Sequence, residues 1–116
     1  MNESISVIMP VRNAQLTLAR QVSRFLEVLS DISSQFELLI VDDASTDSTE
    51  EVAHELTQTY PQIQFIRHPK QLGTRAAVRS GMNQASANIV LVEGESASYD
   101  GFPAKIAPVA NIENGS

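Results

Sequence analysis

The feature that most constrains the fold of this chain is a repeated alternation. Short runs rich in β-branched residues take turns with stretches of helical period. The strand-like runs are SISVIMP (4–10), FELLIVDD (36–43), QIQFIRH (62–68) and NIVLVE (88–93). Between the first two, AQLTLARQVSRFLEVLSDI (14–32) sets Leu16, Leu18, Ala19, Val22, Phe25, Leu26 and Leu29 near helical spacing, with Asn13 as N-cap. TDSTEEVAHELTQTY (46–60) predicts a second helix, with Val52, Leu56 and Tyr60 as its buried stripe and Pro61 as its stop. Two capping boxes are available to it, Asp47 with Glu50 or Ser48 with Glu51. LGTRAAVRSGMNQAS (72–86) predicts a third helix, and PAKIAPVANIENG (103–115) a last one that Pro108 weakens.

The second strand is nearly all apolar at its centre, as a strand covered on both faces must be. Strand–helix alternation with short links therefore predicts an α/β chain, a Rossmann-like three-layer α/β/α sandwich around a mainly parallel sheet. Right-handed crossovers give the strand order 3-2-1-4. In such sheets ligands bind beyond the carboxyl ends of the strands. Pro10 to Asn13, Asp42 with Asp43, and Glu93 with Glu95 all fall at those ends.

Bulk properties remove several function classes. The 116 residues suit one domain, and 42% hydrophobic residues suffice for a core. A net charge of −6 argues against a nucleic-acid backbone as partner. No cysteine is present, which excludes a thiol nucleophile and a Cys-ligated zinc. No apolar run approaches the roughly 20 residues of a membrane span, and the first residues lack a signal-peptide pattern, so a cytoplasmic location is expected.

Three stretches carry chemistry, each with a plain structural alternative. In VDDASTDST (41–49), a solvated turn and helix cap account for Ser45 to Thr49. They do not account for Asp42 and Asp43 at the strand exit, where an acid can accept hydrogen bonds from a base or ribose. In HPKQLGTRAAVRSG (68–81), Gly73 at a helix start allows close backbone approach. Arg67, Lys70, Arg75 and Arg79 are four of the eight Lys and Arg. This is either a solvated basic face or a phosphate site, with Arg75 the leading contact. In EGES (93–96), Glu93 and Glu95 suit Mg²⁺ or Mn²⁺, or else form an ordinary acidic loop. His54 reads as a helix-surface residue and His68 as a loop residue.

Taken in order, these stretches resemble the N-terminal, nucleotide-sugar-binding half of the family 2 inverting glycosyltransferases of the GT-A fold. ISVIMPVRN is similar to that family's first strand with Pro, an aromatic residue and Asn. FELLIVDDASTDST is similar to its second-strand signature. Gly73, Ala77, Gly81 and Ala85 match its third-helix pattern, ahead of a strand ending in an Asp-x-Asp metal motif. Within the family, EGESASYDGFPAKI looks most like the polyprenyl-phosphate sugar synthases. The resemblance implies that Pro10 lines a base pocket, Asp43 hydrogen-bonds the base, Arg75 lies near the phosphates, and Glu93 and Glu95 stand at the metal motif. Arg12 replaces the aromatic residue and offers a guanidinium plane to a base. Both metal-motif aspartates are glutamates here, which moves each carboxylate out by about one methylene.

The expected function is transfer of a sugar, with inversion, from a nucleotide-diphosphate sugar to an acceptor that is lipid-linked or a saccharide. The expected cofactor is Mg²⁺ or Mn²⁺. The resemblance also implies that the acceptor half and the catalytic base lie beyond Ser116, near the membrane. Residues 1–116 then form one domain, cut before that half, and no catalytic residue can be assigned. The alternative is a non-catalytic module that holds a nucleotide or nucleotide sugar. A receiver-like phosphoacceptor domain fits less well, because the Asp pair follows the second strand rather than the first. A dinucleotide fold is disfavoured by the glycine-free loop PVRNAQ.

Overall fold

A computed structural model describes residues 4–93 and 106–109. The elements are β1 (Ile5–Val11), α1 (Leu18–Ile32), β2 (Phe36–Asp42), α2 (Thr49–Thr59), β3 (Ile63–Arg67), α3 (Thr74–Gln84), β4 (Ile89–Glu93) and β5 (Ile106–Val109). All pairings are parallel, and the order is β3-β2-β1-β4-β5. The predicted 3-2-1-4 order is present, extended by one strand. That strand is a correction, because Ile106–Val109 pairs with Val90–Glu93 where a helix was expected. A run of Ile, Ala, Pro and Val is too short to nucleate a helix with Pro inside it. The rest of the expected helix lies outside the described residues.

Side chains alternate across the sheet because the strand period is two. Val7, Met9, Leu38 and Ile40 point to one face, where they meet Leu18, Val22, Phe25 and Leu29 of α1 and Ala53 of α2. Ile8, Leu39, Val41, Val90 and Val92 point to the other, where they meet Ala77 and Val78 of α3. Three layers result, with both faces of β1 and β2 buried. α3 comes very close to the sheet, and a Cβ placed on Gly81 would sit 2.6 Å from Ile8 Cγ2.

Two boundary differences from the sequence reading bear on the site. β1 continues through Pro10 to Val11 instead of stopping at the proline. Ile5 N–H donates to Gln35 and Ile89 N–H donates to Ser4, so even-numbered residues of β1 face β4. Among the described residues the pairing of β1 with β4 ends at Ile8–Val92, so the missing N–H of Pro10 costs no bond of the ladder they form. α1 begins at Leu18 rather than at Ala14. Leu16, expected in the buried stripe, is 89% exposed, and Ala19 is exposed as well. Among the described residues no helix is long and apolar enough to cross a membrane.

Candidate functional site

The carboxyl ends of β1 and β2 support two loops that are latched together. Asn13 N–H donates to Ser45 Oγ (2.8 Å), and Asn13 Oδ1 accepts from Thr46 N–H (2.8 Å). Ala14 N–H donates to Thr49 Oγ1 (2.7 Å), and Ser48 N–H donates to Gln15 Oε1 (2.7 Å). The polar residues of VDDASTDST thus satisfy the backbone of the neighbouring loop. Neither capping box forms, and Ser48 at the α2 N-cap makes no side-chain cap bond. Asp47 accepts instead from Thr49 N–H (2.9 Å) and from Gln15 N–H (3.3 Å). The Thr49 hydroxyl also donates to Asp47, and its bond leads in holding that carboxyl below its ordinary pKa. Asn13 is not a helix cap either, since it takes φ +54 within the latch, and Ala44 takes φ +62 opposite it.

The two aspartates at the end of β2 have separate tasks. Asp42 is fully buried and accepts from Ser45 N–H (3.0 Å), Ser45 Oγ (2.5 Å) and Arg67 Nη1 (2.6 Å). Arg67 also donates to Ser45 O (3.2 Å) and lies 3.7 Å from Glu50. This corrects the grouping of Arg67 with the phosphate-facing cations, because its guanidinium is committed to Asp42.

Asp43 turns toward α3. Its Oδ1 accepts from Leu72 N–H (2.8 Å) and from His68 Nδ1 (2.9 Å), and its Oδ2 accepts from Gly73 N–H (2.8 Å). Both amides can converge on one carboxylate because Gly73 takes φ +99. Burial pushes the Asp43 carboxyl up, but the bonds from Leu72, His68 and Gly73 outweigh it and hold the pKa below its ordinary value. An ionised carboxylate has about four lone-pair directions. Three are filled here, and the spare one lies on Oδ2.

Asp43 lines a cleft of about 150 Å³ together with Pro10, Val11, Arg12, Gln71, Gly73, Thr74 and Ala77. Four of the five residues read as nucleotide-binding, Pro10, Arg12, Asp43 and Gly73, therefore meet in one place. Arg75 does not line it; it lies exposed in the first turn of α3. Larger hollows of about 360 and 350 Å³ open at the opposite end of the sheet and beside α1. They contain none of these residues. Glu93 ends β4, one position after the Ile8–Val92 pair. Glu95 lies outside the described residues. Among the described residues no group of three or more His, Asp or Glu could hold a metal ion.

His68 is the residue that sequence reasoning missed. It lies in the loop after β3 as expected, but it is 6% exposed, and its Nε2 lies 2.8 Å from Ser80 Oγ on α3. The signal was positional. His68 directly follows β3, as Asp43 directly follows β2, and strand exits on this side form the site. Gln71 and Thr74 were also missed, having no side-chain pattern that marks them. His54 is on the helix surface as expected, its ring edge-on to Phe65 at 5.0 Å.

The family model for glycosyl transferase family 2 matches residues 6–92. The chain belongs to this family. A dolichol-phosphate mannosyltransferase of Pyrococcus furiosus is 33% identical over 114 residues, covering 97% of this chain and 31% of that protein. Among solved structures, the mannosyltransferase PcManGT of Pyrobaculum calidifontis, in complex with GDP-Man and Mn²⁺, superposes with a TM-score of 0.70 at 22% identity. That match covers 78% of this chain and 26% of the other. Residues 1–349 of S. aureus TarS, in complex with UDP-GlcNAc, give a TM-score of 0.67 at 22% identity, covering 79% of this chain and 26% of that one. These likenesses show the fold alone, a Rossmann-like α/β/α fold of the GT-A type. The chain spans about a third or less of the relatives it matches.

Proposed function

We propose that this family 2 chain is the donor-binding part of a glycosyltransferase. It would take a nucleotide-diphosphate sugar and support sugar transfer, with inversion, to a lipid-linked acceptor of the polyprenyl-phosphate class. The observation that carries the reading is the spare lone pair of Asp43 in the cleft bounded by Pro10, Arg12 and Gly73. A base ring-nitrogen N–H can donate to it, Pro10 supplies a rigid apolar wall, and the Arg12 guanidinium can stack on the ring. The first turn of α3 borders the same cleft through Gly73 and Thr74, so the helix N-terminal dipole favours the diphosphate. The likeness to a dolichol-phosphate mannosyltransferase supports the acceptor class.

The metal part of the reading assigns Glu93 and Glu95 to a Mg²⁺ or Mn²⁺ ion. The Mn²⁺ in the PcManGT complex and the place of Glu93 at the end of β4 support it. Such an ion, when bound, neutralises charge on the departing diphosphate. The Glu-for-Asp changes favour a second reading, a nucleotide-binding module without turnover, because Mg²⁺ tolerates little geometric error.

Calorimetric titration with UDP and GDP, with and without Mn²⁺, tests both. The expected affinity lies between tens of micromolar and millimolar, roughly 4–6 kcal/mol. Asp43→Ala should weaken it by about 1–3 kcal/mol. Mn²⁺ should tighten binding, and Glu95→Ala should remove that gain. A wild-type protein without metal response whose Glu93→Asp, Glu95→Asp double variant does respond supports the module. No heat with either nucleotide overturns the donor-binding reading.

A further inference from the structure

We propose that His68 is a positioning residue that selects which oxygen of Asp43 faces the donor base, with Ser80 fixing its tautomer. The inference rests on the donor-binding reading and adds to it. An ionised carboxylate only accepts, so the His68 Nδ1 that lies 2.9 Å from Asp43 Oδ1 must carry a proton in either charge state of the ring. In the neutral ring Nε2 is then the acceptor, and the Ser80 hydroxyl at 2.8 Å donates to it. Leu72 N–H fills the other direction on Oδ1 at 2.8 Å. With Oδ1 saturated, this carboxylate offers a ligand its remaining acceptor direction on Oδ2, beside Gly73. His68 and Asp43 are both buried, at 6% exposed each, so neither bond is diluted by water.

Asp43, His68 and Ser80 have the acid–imidazole–hydroxyl order of a nucleophilic triad. Ser80 nevertheless sits in the body of α3 (Thr74–Gln84), where the amides around it are engaged in helix hydrogen bonds. They present no donors for an oxyanion. The hydroxyl sets the tautomer and does not attack a substrate.

The test compares His68→Asn with His68→Gln. The Asn side-chain amide reaches the position of Nδ1, and that of Gln reaches the position of Nε2. Asn therefore keeps the Asp43 bond and Gln loses it. Affinity for UDP or GDP, whichever the wild type binds, should stay within about twofold in His68→Asn and fall about tenfold in His68→Gln. Gln is closer to His in volume, so a merely structural role predicts the opposite order. Equal losses, or a larger loss in His68→Asn, overturn the proposal. Amide hydrogen exchange without nucleotide provides a separate reading. Leu72 and Gly73 should exchange faster in His68→Gln and at wild-type rates in His68→Asn. If wild-type protein binds neither nucleotide, the donor-binding reading fails, and the exchange arm alone decides the positioning claim. Faster exchange only in His68→Gln upholds it, and equal exchange in both variants overturns it.

Discussion

Asp42 and Arg67 meet at 2.6 Å across the ends of β2 and β3, the carboxylate fully buried and the guanidinium side chain one-third exposed. This pair joins β3 to the β2–α2 loop and leaves the adjacent Asp43 to face the other way. A buried carboxylate that loses its cation is left uncompensated.

Arg67→Met should therefore lower stability. Breaking a fully buried pair costs about 3–5 kcal/mol. Partial exposure of Arg67 and the two bonds that Ser45 keeps on Asp42 reduce the expected loss to about 2–3 kcal/mol. Urea unfolding at neutral pH measures it. An unchanged midpoint would show that the pair contributes nothing.

Asp43 should make the protein acid-sensitive in a defined window. Its folded pKa is depressed below the ordinary 3.8. The unfolded chain thus takes up the proton first as pH falls, and the stability from ionised Asp43 is fully present above that value. It is lost as pH drops below 3.8 toward the folded pKa. Asp47 is depressed in the same direction and adds to the slope. Stability against urea should be insensitive to these two groups between pH 7 and about 5 and fall below about 4. Asp43→Asn should be less stable at neutral pH and show a shallower acid slope. The same slope in the variant would remove Asp43 from the account.

Gly81→Ala and Gly73→Ala should both destabilise, for different reasons. At Gly81 the new methyl meets Ile8 at 2.6 Å, so overpacking should cost about 1–3 kcal/mol. Combining it with Ile8→Ala should cost less than the sum of the single changes, because the clashing atoms are gone. At Gly73 nothing lies within 4 Å, and the cost of about 1–3 kcal/mol comes from φ +99 alone. No partner truncation should rescue it. Thermal melts of the single and double variants separate the two cases.

Ala44→Gly should stabilise. An L residue at φ +62 costs about 1–2 kcal/mol, while the extra freedom of glycine in the unfolded chain returns about 0.4–1 kcal/mol. The expected net gain is about 0.5–1 kcal/mol, with nucleotide affinity unchanged because residue 44 does not line the cleft. A loss of stability would mean that the Ala44 methyl is packed more productively than its backbone angle is costly.

The order β3-β2-β1-β4 could be read in advance because both-face burial makes Val7, Ile8, Leu39 and Ile40 apolar without alternation. Pro10 and Asp43 could be placed at one end of the sheet, where they line the same cleft, because strand ends are visible in sequence and the parallel fold puts them side by side. β5 was not readable, since pairing with β4 decides a four-residue segment that has no period of its own. The partners of Arg67 and His68 were not readable for a related reason. Sequence shows that a cation or an imidazole is present, but its partner is chosen by contacts across 25 residues, to Asp42 and Asp43. The sequence by itself determined the layers and the end of the sheet where chemistry can occur, because those follow from the periodic placement of apolar side chains. Only the tertiary structure decided which acid is consumed by the scaffold and which keeps a lone pair for a ligand, because a hydrogen bond depends on distances that no local pattern encodes.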